Sequence, residues 1–187
     1  MAREKKTLII MLAVLVVLVV VTVLLFFGSG FKTISNMFGN KESVKVTDMK
    51  TVPSFKVKDL QGKTVTQAVF SKNKLTLVNV WGTYCSPCLK EMPAIEEVYK
   101  EYSSKNIGVI GIAEDGQSQE PQVNEILKKT KVTYENLIPN DKFTNDFLSH
   151  ESEIPYTFIV DNKGRIQDFV VGAQSKEKYE TMINNNI

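Results

Sequence analysis

The first strong pattern along the chain is an unbroken apolar run. From Leu8 to Phe27 no charge interrupts it, and only Thr22 within it and Thr7 beside it are polar. About twenty such residues span the hydrocarbon core of a bilayer, whereas the apolar part of a cleavable leader has only about 7–15. One uncleaved transmembrane helix over 8–27 is therefore expected, with Gly28-Ser29-Gly30 offering only a weak cleavage site. Arg3, Lys5 and Lys6 in the flank 1–7 should stay in the cytoplasm and place the rest of the chain outside it. From 28 to 52 the pattern lapses, with Gly, Asn, Ser and Lys recurring among scattered apolar residues such as Ile34, Met37, Phe38, Val44 and Val46. That stretch reads as a linker to one globular domain over 53–187.

Within the domain the period switches between two and 3.6. Phe55–Lys58 alternates like a strand, Asp59–Lys63 reads as a turn and Thr64–Thr66 as the return strand, giving an N-terminal β-hairpin. Leu75–Trp81 is a short β-rich run of the kind that makes a buried strand, and Val109–Ala113 is an apolar run typical of a parallel interior strand. Between them Leu89, Met92, Ile95, Glu96, Val98, Tyr99 and Tyr102 mark an amphipathic helix over Pro87–Ser104, its charges at Lys90, Glu91, Glu97, Lys100 and Glu101. Pro87 suits the first turn of that helix, and Pro93 should bend it. Asn106–Gly108 should close it. A helix opened by Pro121 with Val123, Ile126 and Leu127 inward, a strand over Tyr134–Ile138 and a short helix over Phe143–Leu148 should follow. Tyr156–Val160 and Arg165–Val171 flank the strong turn Asp161–Gly164, and Ser175 can cap a last helix through Asn184.

Both cysteines and the only tryptophan lie in Val80–Pro93, where a strand hands over to a helix. Unpaired N–H groups and the positive dipole end at a helix start stabilise a thiolate, so Cys85 should be the acidic, attacking sulfur. Cys88, one turn on, faces the same side and can close a short disulfide ring and resolve a mixed disulfide. A zinc site would need a second cysteine pair or two histidines, and the chain has only His150 to add. A purely structural disulfide closing so short a loop would gain little. Taken alone, Glu91 reads as an ordinary exposed helix carboxylate, Trp81 and Tyr84 as packing residues and groove walls, and His150 as a surface loop residue.

These residues carry a resemblance. Trp81–Cys88 resembles the W-x-x-W/Y-C-x-P-C box of thioredoxin-like proteins of the membrane-anchored TlpA/ResA/CcmG-like branch, with Lys90–Pro93 as its continuation and Ile154–Asp161 as its proline-led strand. Similarity extends from about Pro53 to Ile187. Ordinary thioredoxins carry a buried acid six residues before the first cysteine; here that position is Asn79, and the branch instead resembles this chain in having Glu91. The resemblance implies a thioredoxin-like α/β fold, a central mixed sheet flanked by helices, with the strand Tyr134–Ile138 and its neighbouring helix as a central αβ insertion. It implies a cis peptide before Pro155, with Trp81, Tyr84, Pro87, Ile154 and Pro155 around the client, and a role for Glu91 in tuning the cysteines or relaying a proton. The redox-active disulfide would be the only cofactor.

Charge adds one exclusion. Residues 1–7 carry three basic groups and one acid, which leaves 20 of each sign in the remainder, and lysine outnumbers arginine 21 to 2. A nucleic-acid surface is not indicated. The expected function is an extracytoplasmic, membrane-tethered thiol–disulfide oxidoreductase. The resemblance implies a reductant of client proteins, either apocytochrome c in cytochrome c maturation or methionine sulfoxide reductase, recharged by a membrane donor of the DsbD/CcdA type. The alternative is a thioredoxin-like copper-delivery protein using Cys85, Cys88 and His150, although such proteins usually space their cysteines by three residues. A peroxidase's threonine-bearing cysteine pattern is not matched.

Overall fold

The computed structural model describes residues 11–12, 14–23 and 46–187. The chain separates into two units, Met1–Glu42 and Ser43–Ile187. In the first, residues 14–23 are helical and their leucines and valines are exposed. Thr22 folds its hydroxyl onto the carbonyls of Leu18 and Val19, at 3.0 and 2.9 Å, which satisfies its polarity within the helix. Among the described residues no helix is long and apolar enough to cross a membrane. The rest of the anchor expected over 8–27, the flank 1–7 and the linker to residue 45 lie outside the described residues.

In chain order the second unit comprises β1 (Lys56–Asp59), β2 (Thr64–Thr66), β3 (Leu75–Trp81), α1 (Ser86–Tyr102), β4 (Ile107–Ala113), α2 (Gly116–Thr130), β5 (Glu135–Ile138), α3 (Asp141–Asp146), β6 (Tyr156–Asp161), β7 (Ile166–Val171) and α4 (Lys176–Asn184). The strands form one sheet in the order β2-β1-β5-β4-β3-β6-β7. It is mixed, as expected: β3 and β5 run parallel to β4, while β6 is antiparallel to β3 and β1 to β5. β3 and β4 are buried at every position, which is why β4 reads as an apolar run and β3 carries only Thr76 and Asn79 as polar residues. One core cluster joins Val57, Val78, Ile110, Phe147 and Phe158 on one face of the sheet. A second joins Leu77, Ile95, Val98, Ile159 and Tyr179 under α1 and α4.

The two hairpins use one device. Asp59 Oδ1 accepts from the N–H groups of Gln61 and Lys63, and Asp161 Oδ1 from those of Lys163 and Arg165, all at 2.8–3.0 Å. Gly62 (φ 76°) and Gly164 (φ 79°) take the left-handed position that closes each turn.

Three expectations are corrected. The domain begins before residue 53. Val46–Asp48 forms a 3-10 turn, Val46 and Val52 are buried in the core, and between them Thr51 bridges to Arg165. Helix α2 starts at Gly116 instead of Pro121. A break at Gln119 (φ −123°) precedes the proline, which opens only the second segment, as its missing N–H requires. The helix expected over 143–148 is displaced to Asp141–Asp146, because Asn140 caps it through Phe143 N at 2.9 Å. Helix α1 ends near its expected place, with Asn106 in the left-handed conformation (φ 62°).

Candidate active site

The apolar interior of β3 stops at Trp81, and Gly82–Tyr84 leads into α1. Cys85 occupies the N-cap, where its Sγ accepts from Cys88 N at 3.2 Å. Pro87 is exposed in the first turn, where its missing N–H has no helical partner to lose. Cys85 and Cys88 are joined as a disulfide, Cα atoms 5.3 Å apart. Cys85 retains 5% exposure and Cys88 none, so a partner approaching from solvent meets Cys85.

The loop before Cys85 is held by residues at the end of β4. Asp115 accepts from Thr83 N, at 3.1 and 3.2 Å to its two oxygens, and from the Thr83 hydroxyl. Tyr84, 71% exposed, donates its hydroxyl to Glu114, which with partial burial holds the phenol up at about 12. A Cβ on Gly82 would lie 3.0 Å from both Ile154 Cδ1 and Tyr84 Cε1, so glycine there lets those side chains close over the loop. Ile154 is half-buried and precedes a cis peptide to the buried Pro155. Gly172 N donates to the Pro155 carbonyl at 2.7 Å, so that oxygen already serves the hairpin.

Trp81 does not line a groove. It is fully buried and donates its indole N–H to Asn136 Oδ1 at 3.0 Å, because it ends a strand covered on both faces. Of the residues expected around the client, Tyr84 and Pro87 are exposed and Ile154 is partly so.

Glu91 departs from the reading of its residues alone. One turn beyond Cys88, it is only 3% exposed. Oε1 accepts from Asn79 Nδ2 at 2.8 Å, and Oε2 from Gln174 N at 3.2 Å and the Tyr179 hydroxyl at 2.5 Å. Burial pushes its carboxyl above the ordinary range, and the three donors pull it back only in part. Asn79 Nδ2 also donates to Thr157 at 3.0 Å, while its Oδ1 has no partner among the described residues. Helical spacing held a signal for this: Glu91 lies three residues after Cys88 and four before Ile95, on their face. Gln174 and Tyr179, more than eighty residues away, carried no comparable signal, nor did Asp115.

Among the described residues no three His, Cys, Asp or Glu side chains gather as a metal site. His150 lies half-buried in a 3-10 turn, Leu148–His150, after α3.

A vicinal dithiol capping a helix that leaves a central strand, with a cis-proline loop beside it, defines a thioredoxin-like thiol–disulfide oxidoreductase. The chain belongs to the AhpC/TSA family, whose profile matches residues 49–169. It is 32% identical over 152 residues to a thiol-disulfide oxidoreductase ResA of Bacillus cereus, covering 81% of this chain and 84% of that protein. It is also 32% identical to the thioredoxin-like protein YneN of Bacillus subtilis (strain 168), over 78% of this chain and 84% of that one. Among solved structures, a thiol:disulfide interchange protein of Chlorobium tepidum TLS superposes with a TM-score of 0.64 at 26% identity, covering 73% of this chain and 95% of that one. StoA from Bacillus subtilis shares the fold, with a TM-score of 0.60 at 20% identity over 72% of this chain and 99% of that one. The chain is thus a thiol–disulfide oxidoreductase of the ResA type, with Cys85 and Cys88 as its cysteine pair.

Proposed function

We propose that this protein reduces disulfides of client proteins outside the cytoplasm, tethered to the membrane through residues 8–27. The observation that carries the reading is Glu91, a buried acid with neutral donors only, one turn beyond the resolving cysteine. In the reduced protein the Cys85 thiolate attacks one sulfur of a client disulfide. The client S–S bond breaks, its other sulfur leaves as a thiolate, and a mixed disulfide forms. The Cys88 thiol then gives its proton to the Glu91 carboxylate and attacks Cys85, releasing the second client thiolate. The client gains two electrons and the protein is left as the disulfide. Helix-terminal N–H groups favour the Cys85 thiolate, while full burial of Cys88 keeps it from competing.

Ile154, ahead of the cis bond, offers backbone to an extended client segment, with Tyr84 and Pro87 across the cysteines. A membrane donor of the DsbD/CcdA type would restore the dithiol. The clients favoured are apocytochrome c and methionine sulfoxide reductase.

The Cys85–Cys88 potential, measured in glutathione or dithiothreitol buffers, should lie below about −200 mV; a value near −120 mV would make the protein an oxidant and defeat the reading. Cys88→Ser should trap clients as long-lived mixed disulfides and Cys85→Ser almost none. Equal trapping by both would overturn the assignment of the attacking sulfur. Protease added to intact cells should digest the domain, and protection until lysis would reject the topology.

A further inference from the structure

Two of the three donors on Glu91 come from the last stretch of the chain. The Tyr179 hydroxyl and the Gln174 N–H both meet Oε2, while Asn79 on β3 meets Oε1. Tyr179 is fully buried, and its helix α4 packs along α1. Every one of these contacts points a proton at the carboxylate, and none offers it an acceptor.

We propose that Tyr179 and the Gln174 backbone are positioning groups that hold Glu91 as a charged acceptor, so that docking of α4 sets the charge beside the dithiol. The inference rests on Glu91 being the acid–base group of the exchange reaction. A buried carboxylate without a cation is ionised only as far as its hydrogen bonds allow. Removing the Tyr179 hydroxyl while keeping its ring removes one such bond and leaves the packing intact.

The surroundings leave few other titrating groups. β3 and β6 present Asn79 and Thr157, and the segment before α4 presents only backbone. Tyr134, ahead of β5, is held in its neutral form by burial and by the charge of Glu91. On α1 itself Cys88 precedes Glu91 by a turn, and Glu96 is tied to Thr133 and Lys100. Tyr179 is likewise held neutral by burial, Glu91's charge and their shared bond.

The test is a 13C titration of the Glu91 carboxyl in the reduced full-length protein in detergent, the signal assigned by its loss in Glu91→Gln. Tyr179→Phe should raise the midpoint by about one pH unit, a tenfold weaker acid. A fluorinated tyrosine at position 179, a better donor on the same ring, should lower it. An unmoved midpoint in both variants would overturn the proposal. The second readout is the pH dependence of Cys85 alkylation by iodoacetamide. Tyr179→Phe should shift it in the wild-type background and leave it unchanged in Glu91→Gln; a shift in both backgrounds would mean that Tyr179 acts by another route, overturning the proposal. If the carboxyl midpoint moves with Tyr179→Phe but Glu91→Gln leaves the alkylation profile unchanged, positioning stands and the role of Glu91 in the exchange fails.

Discussion

Helix α1 buries two glutamates five residues apart, and the fold treats them in opposite ways. Glu91 is 3% exposed and Glu96 4%. Burial pushes both carboxyls upward. At Glu96 the push is outweighed by Thr133, whose N–H and hydroxyl reach the carboxylate at 2.8 and 2.6 Å, and by Lys100 at 3.2 Å, so the net displacement is downward. At Glu91 three neutral donors face the same cost without a cation, and the net displacement is upward. The comparison teaches that a buried acid with a cation at hand is a structural tie, whereas one held only by neutral dipoles remains able to take and give a proton.

The largest effect on folding is expected at the structural tie. Glu96→Ala strips Thr133 N of its acceptor and should cost about 2 kcal/mol in urea unfolding, as for a hydrogen bond to a charged group. It should leave the pH profile of Cys85 alkylation where it was. The stability held by Glu96 is present above the ordinary glutamate range and lost as pH falls through its lowered folded value, so the variant should also lose this acid-side dependence.

Glu91→Gln should act in the opposite pH window. Because the folded value of Glu91 is raised, its contribution is fully present below the ordinary glutamate range and disappears as pH rises through the folded value. Each unit of displacement is worth about 1.4 kcal/mol. Urea unfolding across that window should slope downward with pH in the wild type and lie flatter in Glu91→Gln. Equal slopes would show that the two acids do not differ as described. The smallest effect is expected from Lys100→Met. Its side chain is 64% exposed, so the pair with Glu96 should contribute less than about 1 kcal/mol. A loss as large as that of Glu96→Ala would transfer the credit from Thr133 to the ion pair.

Much of this architecture was legible because local signals agreed with one another. Both Asp-to-Gly turns announced their hairpins, Ser175 caps α4 through Lys178 N, and the cysteine spacing at the strand–helix junction led directly to the disulfide. The cis bond before Pro155 was legible only through the family resemblance, since nothing local specifies it. What escaped depended on distant partners. Glu91 looked like part of a charged face because a helix packed only on a sheet would leave that side wet, but α4 covers it. Trp81 resembled a groove wall beside the cysteines until Asn136 claimed its N–H from another strand. Val46 looked scattered because the core it joins includes Phe147, Phe158 and Val160, about a hundred positions later.

The bridge from Thr51 to Arg165 closes a sheet margin. β7 is the last strand, and at its start the chain at 50–52 lies alongside: Ile166 N donates to the Lys50 carbonyl and Val52 N to that of Gly164, both at 2.9 Å. A fragment begun at Pro53 would expose these groups together with the apolar floor left by Val46 and Val52, an open border on which a second copy could add a strand. Cutting ahead of Val46 keeps the margin sealed, so self-association in solution should distinguish the two fragments, with only the shorter one forming oligomers.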